Sequence, residues 1–227
     1  MNALLQTAQR RLYPSLSDPS YLVLRSRRLI FSRWIRELGG NLRVLDVGGR
    51  YQPYRPLLDR HLGSYVAVDI ARTELVNVVA SGEALPFPPH SFDLVIATQV
   101  FEYFSDPAAA ATQIHLVLRQ GGVLLASLAG LTPRFVDEER WRFTPAGLQT
   151  LFRTFSSIEI VPELSSLGSM IRTNNAALYT FSKYAWLRSL YKATACPIFN
   201  LSGLLLEKMR PTSNDQFAAN FSVRATK

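Results

Sequence analysis

Apolar residues gather along this chain in short unbroken runs, and each run ends on, or leads into, a polar or glycine-rich turn. The clearest series lies between Arg43 and Tyr103: RVLDVGGR, then VAVDI, then SGEALPF and SFDLVIATQVFEYF. Runs of this length without alternation read as strands buried on both faces of a parallel sheet. The pattern predicts strands at Arg43–Val47, Tyr65–Asp69, Val76–Val79, Phe92–Ala97, Val123–Ser127 and Ile158–Val161. It predicts helices near Pro53–His61, over Asp106–Leu118, and from Thr144-Pro145 to about Phe155, with Gln120-Gly121-Gly122 breaking the second. The final AANFSVRATK alternates enough for a closing edge strand. Strands alternating with helices at this spacing predict an α/β fold: a doubly wound, mainly parallel seven-stranded sheet.

Two segments frame that core. Ser17-Asp18-Pro19 is a helix-start signal, followed by Tyr21, Leu24, Phe31, Trp34, Ile35 and Leu38 on one helical face and ended by Gly39-Gly40. Its other face carries Arg25, Arg28, Arg33 and Arg36, either as solvated charge or as a helix laid across the sheet's mouth. Between the sixth strand and the last lie roughly fifty residues, far more than the 2–6 of an ordinary connection. This insertion includes LYTFSKYAWLRSLYK, which suits a helix packed on the sheet or one lying at a membrane interface. The expected layout is an N-terminal basic helical segment (1–42), a ligand-binding α/β core (43–164), a helical insertion (165–216) and the closing strand (217–227).

Charge changes the picture more than composition does. The formal charge of +8 is uneven: residues 1–43 carry eight arginines against Asp18 and Glu37, and residues 165–227 carry eight cations against Glu207 and Asp215. The middle has more acids than bases. A basic frame around an acidic core fits an anionic partner, such as a phosphorylated substrate or peripheral contact with a membrane surface. The cations do not fall into a recognisable RNA-binding module, which argues against nucleic acid. Cys196 is the only cysteine, so no intrachain disulfide or cysteine-rich metal site exists, and no metal is expected. With no apolar run near 20 residues and no leader-like start, the expected location is cytoplasmic, with peripheral membrane contact allowed by the flanks.

The turns carry the chemistry, because ligands of open α/β sheets sit beyond the carboxyl ends of the strands. Gly48-Gly49 lets the backbone approach a ligand. The following Arg50-Tyr51-Gln52-Pro53 lacks the further glycines of a dinucleotide fingerprint, and no phosphate loop is present. Asp46 can help position an ammonium group. Asp69 closes the second strand where acids accept two ribose hydroxyls. Glu83 precedes Leu-Pro-Phe, which can wall an adenine.

Together VLDVGG (44–49), VAVD (66–69), EALPF (83–87), SFDLVIATQVFEYFSDP (91–107) and IHLVLRQGGVLLAS (114–127) resemble the class I S-adenosylmethionine-dependent methyltransferases of the type 11 branch. WRFTPAGLQTLF (141–152) is similar to members found among glycan biosynthesis genes. The resemblance implies that Asp46, Gly48 and Gly49 face the methionyl part of S-adenosylmethionine, that Asp69 holds the ribose and that Ile70 flanks the adenine. It places Ser81, Gly82 and Glu83 at the adenine edge and brings Gln99 to the methionyl end through its backbone. Arg50 departs from the family's second glycine, so the turn must be reshaped or strained there. Ser81 replaces a common aspartate, and Tyr103 a common histidine.

The activity implied is O-methylation of a glycan, lipid-linked or small-molecule precursor by direct displacement. A cofactor-binding relative without turnover and an RNA methyltransferase are the alternatives. The residues placed to serve the acceptor are Tyr103, as an orienting group, and acids of VDEERWRF, with Glu139 foremost.

Overall fold

A computed structural model of the chain describes residues 3–209 and 215–227. Seven strands form one sheet: β1 (Leu42–Val47), β2 (Leu62–Asp69), β3 (Val78–Val79), β4 (Phe92–Thr98), β5 (Leu118–Ala129), β6 (Ser157–Pro162) and β7 (Asn220–Thr226). Their spatial order is β3-β2-β1-β4-β5-β7-β6, with the first five strands parallel and β7 antiparallel to both neighbours. This is the doubly wound, Rossmann-like sheet that the run pattern predicts.

Alternation within each strand decides what packs where, since successive side chains point to opposite faces. Leu45, Val47, Val95, Ala97, Leu124 and Ala126 join a core with Phe101, α3 (Pro107–Val117) and α4 (Pro145–Leu151). Val44, Leu94, Ile96, Val123 and Leu125 join the opposite core with Phe31, Trp34 and Ile35 of α2 (Tyr21–Arg36) and Leu12 of α1 (Ala3–Leu12). Phe31, Trp34 and Ile35 are at most 1% exposed, and each large side chain so buried stabilises the fold by about 1.5–3 kcal/mol.

The helix starts follow from capping. Asp106 accepts from the amides of Ala108 and Ala109, Thr144 accepts from Gly147, and a proline stands first in each following helix.

Several boundaries differ from the sequence expectation. The last strand is not at an edge: β7 is inserted between β5 and β6, and β6 forms the margin. Pro53–His61 holds only a 3-10 turn at Arg55–Leu58, because Pro53 and Pro56 remove amide donors from so short a segment. Helix α4 stops at Leu151, short of Phe155. Strand β5 begins directly after α3, so Gly121 and Gly122 sit in an irregular stretch of strand rather than in a loop. Residues 3–12 form a helix that the sequence reading left unassigned.

The insertion folds as three helices, α5 (Ser166–Phe181), α6 (Ala185–Ala193) and α7 (Ala195–Met209); its stretch 210–214 lies outside the described residues. No helix among the described residues is long and apolar enough to cross a membrane.

Candidate functional site

The carboxyl ends of β1, β2, β4, β5 and β6 and the amino end of the antiparallel β7 share one edge of the sheet, and the turns there form the site. After β1 the chain folds sharply back. Gly48 adopts φ +76°, and its amide and that of Gly49 both donate to the Val68 carbonyl, at 2.8 and 3.1 Å. A Cβ added at Gly48 would lie 2.9 Å from the Val100 side chain, and one at Gly49 would lie 2.8 Å from the Asp46 carbonyl. The turn is thus a bare-backbone cradle facing the segment after β4.

Arg50 does not carry the strain expected of it. The second left-handed position falls instead on Gln52, φ +53°, which is buried and tied down by a bond from its side-chain amide to the Leu75 carbonyl and one accepted from Arg55. The turn is therefore reshaped, and Arg50 is free to reach Asp69, where its Nη2 donates to Oδ1 at 3.1 Å. The Ala71 amide donates to that same oxygen, and both recorded bonds of the carboxylate fall on Oδ1.

Asp46 is buried beneath this turn and accepts from the Tyr65 hydroxyl at 2.5 Å. Burial pushes its pKa up to about 7, against the opposing pull of that hydrogen bond. Ile70 stands 72% exposed beside Asp69, on the outer rim. Outside the turn, a hollow of about 510 Å³ separates α1 from Tyr51, Gln52, Pro53 and Leu75.

The residues read as the adenine edge are largely occupied with one another. Ser81 Oγ donates to Glu83 and accepts from its amide, and the other Glu83 carboxylate oxygen accepts from the Asp106 amide at 2.7 Å. Glu83 therefore braces the start of α3. Gly82 is small for packing: a Cβ there would lie 2.6 Å from the Phe104 ring.

Gln99 sits at φ +50°, an uncommon conformation for a residue with a side chain, held by three bonds. Its amide donates to the Ser127 carbonyl, its side chain donates to Ser127 Oγ, and Asn220 donates to it. No bond to its backbone carbonyl is among them.

Behind Gln99 runs a buried polar network absent from the sequence reading. Glu163, which follows β6, accepts from Ser127, Ser222 and both Nε and Nη2 of Arg27, the last two at 2.7 and 3.0 Å. Burial works against the Arg27 charge, yet Glu163 beside it holds the guanidinium above its ordinary pKa. Arg27 comes from α2, so the basic helix does reach the mouth of the sheet, through a residue on its buried side.

At the acceptor end, Tyr103 and Glu139 meet: the tyrosine hydroxyl donates to the carboxylate at 3.4 Å. Glu139 also accepts from Arg142 and from the Phe135 amide, so its charge is compensated. Burial and the neighbouring Glu139 raise the Tyr103 pKa to about 12, which suits a hydrogen-bond donor and not a base. The residue before Tyr103, Glu102, is 3% exposed, and its Oε2 has no hydrogen-bond partner. Burial lifts its pKa to about 7. A buried carboxyl poised near neutrality at a strand-end turn is a base candidate. The signal in the sequence was only its place beside Tyr103.

Residues 45–126 match a family described as a methyltransferase domain. The rat protein named arginine-hydroxylase NDUFAF5, mitochondrial, is 34% identical over 98 residues, which are 38% of this chain and 29% of that protein. The chain thus spans about three tenths of the length of that relative. A malonyl-[acyl-carrier protein] O-methyltransferase of Coxiella burnetii is 25% identical over 186 residues, covering 67% of this chain and 66% of the relative. Among solved structures, an S-adenosylmethionine-dependent methyltransferase from Archaeoglobus fulgidus superposes with a TM-score of 0.56 at 14% identity, over 88% of this chain and 94% of that one. The [4+2]-cyclase SpnF superposes with 0.55 at 17%, over 87% and 80%.

Proposed function

We propose, for a chain whose residues 45–126 are a class I methyltransferase domain of the type 11 branch using S-adenosylmethionine, that it methylates an oxygen of an acceptor and that Glu102 is the base. The observation that carries this reading is the buried carboxyl of Glu102, unpartnered at Oε2 and near neutrality in pKa, one residue from the Tyr103–Glu139 pair.

The residues present fit the cofactor. The Gly48-Gly49 turn offers backbone at close range, Asp69 keeps Oδ2 open for a ribose hydroxyl, and Gln99 is pinned at the neighbouring strand end. Bound there, S-adenosylmethionine supplies an electrophilic methyl group, so the protein's task is mainly to align the acceptor and remove its proton. Glu102 would accept the hydroxyl proton while the acceptor oxygen bonds the methyl carbon and the carbon–sulfur bond breaks, its electron pair leaving with the neutral thioether. Tyr103, kept protonated, donates a hydrogen bond that orients the acceptor, and Glu139 fixes the tyrosine. The O-methyltransferase name of the Coxiella relative supports the choice of acceptor atom. A glycan, lipid-linked or small-molecule precursor is the acceptor class favoured, on the basic flanks and the similarity of 141–152 to glycan-associated members.

The test is transfer of labelled methyl from the donor to fractions of a cell extract, membranes included, by the native chain and by Glu102→Gln. Label in an alkali-stable ether, lost in the variant with donor binding intact, supports the reading. Equal transfer by the variant removes Glu102 from it.

A second reading has its own observation. Arg50 rests on the carboxylate that would hold the ribose, as it would in a relative that binds weakly and transfers nothing. Calorimetric binding of S-adenosylmethionine without turnover in any fraction favours that reading.

A further inference from the structure

We propose that the helical insertion is a docking surface for an anionic phospholipid membrane, seated through α6 and the α5–α6 turn. Helix α6 has no buried residue at all, although Trp186, Leu187 and Leu190 make it strongly amphipathic. Phe181, Tyr184 and Trp186 are 86, 65 and 65% exposed within six residues of chain. On α7, Ile198, Leu201 and Leu205 fall at three- and four-residue steps and stand open as a stripe. An apolar face of this size on a single chain marks an interaction site.

Composition selects the partner. Residues 166–209 contain a single acid, Glu207, and its carboxylate is spent on the amide and hydroxyl of Ser165. Lys183 and Arg188 alternate with the exposed aromatics, and Lys208 follows the α7 stripe. Aromatic rings with a polar edge, apolar stripes and long cationic stems are the combination that settles at the headgroup level of a bilayer. A second copy of the chain would set cation against cation across the same face. A membrane with acidic lipids meets both the charge and the apolar surface.

The insertion is also held firmly enough to present that face. The Tyr191 hydroxyl donates to Asn175 Oδ1 at 2.6 Å, fastening α6 to α5, and Asn175 donates to Asn200, fastening α5 to α7. On its inner side the layer meets the acceptor loop: a hollow of about 300 Å³ is lined by Ala176, Tyr179, Thr180 and Lys192 of the insertion and by Phe135 of the loop that carries Glu139. A chain resting on this surface would present its acceptor side close to the bilayer. The docking itself does not depend on methyl transfer.

Co-sedimentation of the full chain with vesicles tests it. Phosphatidylcholine vesicles containing phosphatidylserine should carry the protein down, and added salt should release it, since each interfacial cation contributes about fivefold to partitioning. Phe181→Glu with Trp186→Glu should abolish sedimentation while circular dichroism and calorimetric binding of S-adenosylmethionine stay unchanged. Lys183→Glu with Arg188→Glu should weaken binding to acidic vesicles only. A folded native chain that leaves both vesicle types empty overturns the proposal. So does sedimentation indifferent to the Phe181 and Trp186 changes, or an ultracentrifuge profile in which those changes convert a dimer to a monomer. Loss of donor binding in the native chain would instead count against the methyltransferase reading and leave this one standing.

Discussion

Arg50 Nη2 rests 3.1 Å from Asp69 Oδ1, across the turn where β1 and β2 end. The arginine is 39% exposed at its side chain and the aspartate 8%, so the pair spans the rim of the crevice with its acid inside. A half-exposed ion pair of this kind is weak in itself, about 0–1 kcal/mol. Its weight lies in competition, because the oxygen that Arg50 engages is one that a ribose diol would use.

Arg50→Ala should therefore bind S-adenosylmethionine more tightly, by about threefold to tenfold, since it frees Asp69 and removes a cation near a sulfonium. Asp69→Ala should bind it about 10–100-fold more weakly, from loss of charge-assisted bonds of about 1.5–3 kcal/mol. Isothermal calorimetry reads both. Weaker binding by Arg50→Ala would show that Arg50 itself grips the donor.

Gly48→Ala should be tolerated poorly. It places a Cβ 2.9 Å from Val100 at a φ of +76°, so either the turn or the Val100 segment must move. A cost of about 1–3 kcal/mol in stability is expected. Urea denaturation measures it, and donor binding should fall further than stability does, because the displaced segment also carries Gln99.

The difference between what was legible and what was not follows the range of the interactions. Strands β1, β2, β4 and β5 and the turns with Gly48 and Asp69 are written in local runs of apolar residues ended by glycine or acid, so the sequence displays them. The placement of β7 between β5 and β6 depends on pairing partners dozens of residues away, and alternation in AANFSVRATK is equally good for an edge. Helix α1 lacks a cap signal and buries only Leu12. Glu102 and Glu163 read alike in sequence, as acids near strand ends. Both are buried in the fold, and only their partners separate an unpartnered carboxyl near pKa 7 from one held by an arginine and two serines. The bonds of Glu83 are likewise hidden in the sequence: its carboxylate accepts from the Ser81 hydroxyl and the Asp106 amide.

Arg27 and Glu163 lie 136 residues apart in sequence and are joined by two bonds in a nearly dry site. Removing one partner strands a buried charge, so Glu163→Ala should cost about 3–5 kcal/mol. Arg27→Met combined with Glu163→Leu should recover most of that loss. Denaturant midpoints for Arg27→Met, for Glu163→Leu and for the two combined form the cycle. Additive losses in the double variant would mean that the two residues act independently.

Glu102 yields a pair of pH effects with opposite practical consequences. Its folded pKa, about 7, stands above its ordinary value of 4.5, so the native state holds this proton more tightly than the unfolded chain does. The stability it contributes is complete below pH 4.5 and is lost as pH rises to about 7, amounting to about 3 kcal/mol. Glu102→Gln should thus be more stable than the native chain at pH 8 and no more stable at pH 4, as thermal melts at the two values would show. Catalysis runs the other way. Only the ionised carboxyl can accept the acceptor's proton, so kcat/KM should climb with pH and level off above about 7. In Glu102→Gln that rising limb should vanish along with most of the rate, while calorimetric donor affinity is unchanged. A variant that is stabilised at pH 8 but keeps the native pH–rate profile would leave Glu102 as a buried cost to the fold and move the base elsewhere.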